Sequence, residues 1–262
     1  MRGLALTLPP ETLLLLIVVL LVIILTLLHH ARALAGKRPI SRRPLPGIEI
    51  VGRALARGAE TGRAIHISPG SGSVGGRSGT VETVAGLLAA ERVAIDAALN
   101  GAPLLASSGD AVAHLALRGT LRQAYQRAGL GQDYDPTNVQ MLAHQDPMAY
   151  ASGVTTLYGR QKLEASQMIG SFGQEFLLAG EDGQQREVPQ FGGATTTTAL
   201  PFVYLSTEGT LIGEEIYAAE AYLARSPAPL ARLLTQDALR TVIIFAIILL
   251  MILAAAGLQI SF

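Results

Sequence analysis

"HISPGSGSVGGRSGT", residues 66–80, is the stretch on which the reading of this chain turns. "RAI" before it reads as the start of a strand, and "VETVAGLLAAERVAIDAAL" after it reads as a helix. A glycine-rich turn between a strand and a helix is one of the commonest places for a protein to hold a phosphate. Glycines let backbone N–H groups approach an anion, and the helix N-terminus adds a favourable partial charge. Gly70, Gly72 and Gly75 satisfy G-x-G-x-x-G. Ser71, Ser73, Ser78 and Thr80 offer hydroxyl donors, and Arg77 a counter-charge.

Three features argue for a structural turn instead. A dinucleotide fold places an acid about 20 residues past the motif, at the end of the second strand. Here the helix is too long for that, and the first polar strand end is Ser107 to Asp110. Pro69 interrupts the turn early, and Arg77–Ser78 stands where a P-loop needs Lys followed by Ser or Thr.

Working outward, the pattern alternates. Ala64 to Ile67, "PLLAS" (103–107) and "VQMLA" (139–143) read as short buried strands. Helices follow at 80–99, 111–129 and after Pro147. Gly101 suits the position past a helix end. Ser108 or Asp110, and Asp146 before Pro147, suit N-caps. Strand–helix alternation over 64–162 predicts an α/β fold, a mostly parallel sheet with flanking helices. Beyond 164, "SQMIGSFG", "QEFLLAGEDGQQREV" and "TALPFVYLS" read as further strands, with "EDG" as a hairpin-type turn. Residues 211–225 read as the last helix of this domain, capped by Ser206, Thr207 or Thr210. Upstream, Ile48 and Ile50 fit strand material.

Two segments set the cellular context. "TLLLLIVVLLVIILTLL", 12–28, has no charge across 17 positions, and 241–260 has none across 20. About 20 apolar residues cross the hydrocarbon core, with about 17 as the lower limit. The α/β domain is therefore expected to be inserted between two transmembrane helices. The first could be a signal peptide, with "ALA" at 33–35 as a cleavage motif, but its apolar run is long and cations follow it. The expected layout is a short external N-terminus (1–11), a span (12–28), a basic juxtamembrane linker (29–63), a cytoplasmic α/β domain (64–226), a linker helix (227–240) and a second span (241–260). Arg32, Lys37, Arg38, Arg42 and Arg43 follow the first span, and Arg225, Arg232 and Arg240 precede the second. The positive-inside rule then places the middle in the cytoplasm and both termini outside, in the inner (plasma) membrane.

Charge divides along the chain: residues 29–63 carry +6 and residues 64–240 carry −6. A basic neck beside the lipid bilayer attracts anionic headgroups. Without interleaved aromatics it lacks a stacking platform, so nucleic acid is not an expected partner. Cysteine is absent, which rules out disulfide and thiolate chemistry. The catalytic motifs G-x-S-x-G and His-Glu-x-x-His do not occur. His29 and His30 have no third ligand nearby for a metal. His66 reads as a core or interface histidine. A pocket, if one forms, would be lined by Ser68–Arg77, Ser107–Asp110 and Ala143–Asp146, with Asp110 and Asp146 as acids and His144 as a base. The candidate ligand residues are thus Gly70, Ser71, Gly72, Ser73, Gly75, Arg77, Ser108 and Asp110. A phosphorylated small ligand is the candidate occupant; catalytic residues and cofactor are unspecified.

The block "ETGRAIHISPGSGSVGGRSGTVETVAGL", with an apolar span at each end of the chain, resembles a bacterial two-span membrane-protein family of unknown function. That resemblance implies no activity, cofactor or site residue. Two functional classes follow. One is a membrane-anchored scaffold or ligand-sensing module, whose small-residue stretch at 254–257 favours self-association. The other is a membrane-tethered enzyme binding a nucleotide or phosphate ligand at the glycine-rich turn.

Overall fold

The computed structural model describes residues 9–35, 46–75, 79–223 and 227–255. In chain order these form α1 (Pro10–Leu34), α2 (Pro46–Thr61), β1 (Ala64–Gly70), α3 (Thr80–Asn100), β2 (Leu104–Ser108), α4 (Ala111–Arg127), β3 (Val139–Met141) and α5 (Pro147–Arg160). There follow β4 (Leu163–Ser171), α6 (Phe176–Gln185), β5 (Gln190–Ala194), α7 (Leu200–Ser206), β6 (Gly209–Ile212), α8 (Glu215–Leu223) and α9 (Pro227–Ala255). The chain divides into two compact units, residues 1–41 with 225–262, and residues 42–224.

The first unit is the pair α1 and α9. Each is long and apolar enough to cross a membrane, over Glu11–Leu34 and Ala228–Leu253. At 1.5 Å per residue, 25 and 29 residues give rods of about 37 and 43 Å, longer than a hydrocarbon core of about 30 Å. Leu15, Ile17, Phe245 and Ile247 stand exposed along them. A polar contact ties the pair. Thr235 Oγ1, buried, gives its hydrogen to Ala231 O (2.9 Å), so His29 Nδ1–H donates to Thr235 Oγ1 at 3.1 Å. The stretch expected as a linker helix, 227–240, is continuous with the apolar helix after it. Residues 256–260 lie outside the described residues.

The second unit is a six-stranded sheet in the order β3-β2-β1-β4-β5-β6. Every pairing in it is parallel. Parallel neighbours need a crossover, and helices supply one between each successive pair. Alternate strand residues divide between the two faces. Ile65, Ile67, Leu104, Ala106, Ala165, Ile169, Phe191 and Leu211 pack with α2, α3, α4 and α8. Leu105 and Met168 pack with Tyr150, Val154, Phe176 and Val203 of α5, α6 and α7. Both faces are covered, so β1 and β2 are buried almost end to end, as parallel strands require. Each buried Leu, Ile or Phe contributes roughly 1.5–3 kcal/mol. α3 meets the sheet through Ala85, Gly86, Ala89, Ala90, Val93, Ala94 and Ala97. At Gly86 even a Cβ would collide with Ile169 O and approach Pro69 Cα to 2.9 Å.

Several expectations are corrected. The segment around Ile48 and Ile50 is α2, not a strand. Its buried residues Ile50, Val51, Ala54 and Leu55 fall at helical spacing, and it packs on the sheet, so the region 29–63 is not wholly a linker. "SQMIGS" is strand, in β4, but "QEFLLAGEDGQQ" is chiefly α6 and "LPFVYLS" is α7. "EDG" lies inside α6 rather than in a hairpin. The segment 211–225 begins with the end of β6, and its helix starts only at Glu215.

The caps behave as the sequence indicates. Asp110 Oδ1 accepts from Val112 N–H (3.0 Å) and Ala113 N–H (2.9 Å), and Asp146 Oδ1 from Ala149 N–H (3.0 Å). Asp110→Ala is expected to cost about 1–2 kcal/mol, with Asp110→Asn close to wild type. Thermal midpoints of the full chain in detergent would show it; equal losses in both variants would contradict a capping role.

Candidate functional site

Strand order locates the crevice. β2 and β3 lie to one side of β1, and β4, β5 and β6 to the other. Crossovers therefore leave β1 and β4 in opposite directions, and their carboxyl ends flank an opening. This is the switch point at which doubly wound sheets bind ligands. The glycine-rich turn follows β1, so it stands at that opening.

Glycines close the top of the sheet. Gly70 has φ +105° and Gly170 φ +150°. A Cβ on Gly70 would fall onto Ser171 O, and one on Gly170 onto Pro69 O. The β1–β4 register slips at this level, between Ser68 and Gly70. A Cβ on Gly72 or Gly79 would strike Ser171 Oγ. Gly70 and Gly170 thus let the two strand ends pass at backbone contact, and Gly72 and Gly79 leave room for the Ser171 side chain. Gly75, at φ +91°, has open space instead.

Among the described residues, several polar groups of the turn are engaged within the chain. Gly70 N–H donates to Ser68 Oγ (3.0 Å), Gly72 N–H to Ser171 O (3.2 Å) and Gly75 N–H to Thr80 Oγ1 (3.0 Å). Val74 N–H points at Asp110 Oδ1 from 3.5 Å. Ser71 Oγ donates to Glu175 Oε1 (2.6 Å), which also accepts from Gly173 N–H (2.8 Å). Two carboxylates, Asp110 at 3 % exposure and Glu175 at 4 %, therefore attend the turn. A carboxylate beside a hydroxyl and peptide N–H groups receives donors, such as a ligand's hydroxyl or amine, more readily than a phosphate.

The candidate residues are thus partly gathered. Gly70, Ser71, Gly72, Ser73 and Gly75 form the turn, and Asp110 meets it from the end of β2. Ser108 is fully buried, and its Oγ has no partner among the described residues. Arg77 lies outside the described residues. His144 Nδ1 accepts from Ala111 N–H (3.3 Å), so it has no proton to give Asp110 Oδ2, 3.7 Å away. Glu175 and Ser171 were not singled out by the sequence. They follow or end β4, and no local signal marks them before the strand order is known. Glu82, at the start of α3, accepts from Thr195 Oγ1 after β5 (2.9 Å).

Beneath the turn runs a buried polar chain. His66 bonds Ser107 Oγ through Nε2 (2.8 Å) and Ser166 Oγ through Nδ1 (2.9 Å). Ser107 and Ser68 both meet Tyr150 Oη, at 3.2 and 2.5 Å, and Ser166 meets Tyr158 Oη at 2.6 Å. Burial drives the His66 pKa down to about 3 and raises that of Tyr150 to about 12. Burial raises Tyr158 as well. His66 is therefore a neutral imidazole, as expected for a core histidine. Among the described residues no group of three or more His, Cys, Asp or Glu could hold a metal.

Order and turn together define an all-parallel, doubly wound α/β domain flanked in sequence by two apolar helices. The chain belongs to the family described as Domain of unknown function (DUF6754), whose profile matches residues 8–261. No curated protein and no solved structure matches it.

Proposed function

We propose that the protein is a membrane-anchored binding module, a scaffold or ligand sensor rather than a nucleotide-using enzyme. α1 and α9 are its two spans in a bacterial inner membrane, the α/β unit is cytoplasmic, and both chain ends are outside. The cations flanking both apolar helices support that topology. The observation that carries the binding reading is the Ser71–Glu175 pair at the β1/β4 opening. It favours a ligand with hydroxyl or amine donors over a pyrophosphate, because a buried carboxylate repels an anion placed beside it. Self-association in the bilayer belongs to the same reading, and cross-linking in native membranes tests it.

Two measurements test the rest. Protease added outside intact cells should leave the α/β unit whole; digestion there would reverse the topology. Full-length protein in detergent, mixed with ATP or NAD, should keep its thermal midpoint within about 1 °C. Saturating ligand at 100 times Kd would add about 2.7 kcal/mol and move it by several degrees. Such a shift, abolished in Gly72→Asp and strengthened in Glu175→Gln, would establish the nucleotide-binding alternative instead.

A further inference from the structure

We infer a second ligand site, distinct from the β1/β4 opening, in the groove between β3 and the outer flank of α5. It takes a small molecule with one oxyanion group, phosphate or carboxylate, on a body bearing hydroxyl or amine donors. The groove encloses about 400 Å³ and is lined by Gln140, Leu142, Ser152, Thr156, Arg160 and Gln161, among others. That volume lies in the range of small-ligand sites, about 300–1,000 Å³.

The groove exists because β3 is an edge strand that α5 does not cap. α5 turns Tyr150, Val154, Leu157 and Tyr158 to the core, which leaves Ser152, Thr156 and Arg160 on its other side, exposed. Gly153 admits the Leu142 side chain, which would come within 2.8 Å of a Cβ there, and this apolar contact forms the floor.

The wall chemistry is selective. No lining residue is acidic, and Arg160 forms no ion pair among the described residues. Lys162 follows two residues later, also exposed and without an ion pair among them. Arg186, beside Gly159, is by contrast paired with Asp182 at 2.8 Å. The C-terminal end of α5 carries about half a negative charge, which the full charge of Arg160 outweighs. Ser152 gives its hydrogen to Met148 O and Thr156 gives its own to Ser152 O, both at 2.9 Å. Their oxygens therefore face the groove as acceptors. A ligand must bring an anion for Arg160 and donors for these hydroxyls, and Gln140 and Gln161 can serve either. A hydroxylated phosphate ester meets all these conditions. It could be free in solution or the headgroup of a lipid.

Calorimetric titration of the full chain in neutral detergent with glycerol 3-phosphate tests the site. Saturable binding is expected, weakened about tenfold or more in Arg160→Gln and less in Ser152→Ala. Glu175→Gln, at the other opening, should leave it unchanged, as should Arg122→Gln, an exposed cation on α4. Inorganic phosphate, lacking the donor body, should bind more weakly. In nanodiscs, Arg160-dependent competition by phosphatidic acid over phosphatidylcholine would assign the lipid source, and its absence the free ester. Absence of saturable binding to both glycerol 3-phosphate and phosphatidic acid, equal binding in Arg160→Gln, or an equal loss in Arg122→Gln would overturn the proposal.

Discussion

Gly70→Ala is expected to destabilise the α/β unit by about 3–5 kcal/mol, enough to prevent accumulation of the folded chain at physiological temperature. Two costs combine. At φ +105° an L side chain is strained by about 1–3 kcal/mol. The new methyl would also meet Ser171 O and Ser171 C, backbone atoms of a strand buried on both faces that have no rotamer with which to yield. Overpacking of this kind adds about 1–3 kcal/mol. Gly101→Ala is the control. Its φ is +73°, yet nothing lies within 4 Å of the added carbon, so only the strain of about 1 kcal/mol applies. Thermal midpoints of the two full-length variants in detergent decide the matter. Equal losses would mean that β1 and β4 do not pass at backbone contact.

Acid should weaken the fold through His66. Its imidazole is fully buried and its pKa falls to about 3, against 6.5 in the unfolded chain. Because the folded value is the lower one, the unfolded state binds the proton first. Stability is complete above about pH 6.5 and is lost as pH falls towards 3, by about 1.4 kcal/mol per unit. Between pH 6.5 and 4.5 that amounts to about 3 kcal/mol, or roughly 6–10 °C in midpoint for a unit of this size. His114, also lowered by burial and then by Arg118, acts in the same direction. Tyr150 and Tyr158 stay neutral throughout. His66→Gln retains groups able to bond Ser107 and Ser166 but removes the titration. Its midpoint should start lower at pH 7 and fall less steeply. Parallel pH curves for the two proteins would exclude His66 as the source.

The half of the domain that was legible in sequence is the half with local punctuation. β1 to α5 are bounded by Gly101, Asp110, Asp146 and Pro147, each of which acts through neighbours a few residues away. Later elements obey distant partners. Gly180 and Gly183 resemble turn residues, yet they sit within α6 because a Cβ would strike Ser206 Oγ or crowd the Gln190 amide. β5 contains Gly192 and Gly193, poor strand formers. They are small because Phe176, Thr207, Leu211 and Ile216 occupy the space where their side chains would be. α2 is hidden in the sequence because "IEI" alternates like a strand, while the helical spacing of Ile50, Val51, Ala54 and Leu55 emerges only over a longer window. At the site, the turn and Asp110 were visible. Glu175 was not, since its approach to Ser71 spans 104 positions of chain and depends on β4 lying next to β1.

The sheet ends in very short strands, three residues in β3 and four in β6. Long open margins template the addition of foreign strands, and brevity is one of the ways proteins prevent it. A domain confined to a plane meets its own copies far more often than one free in three dimensions. With so little unpaired backbone at either margin, a domain anchored in the bilayer as proposed can crowd among many copies without seeding fibrils.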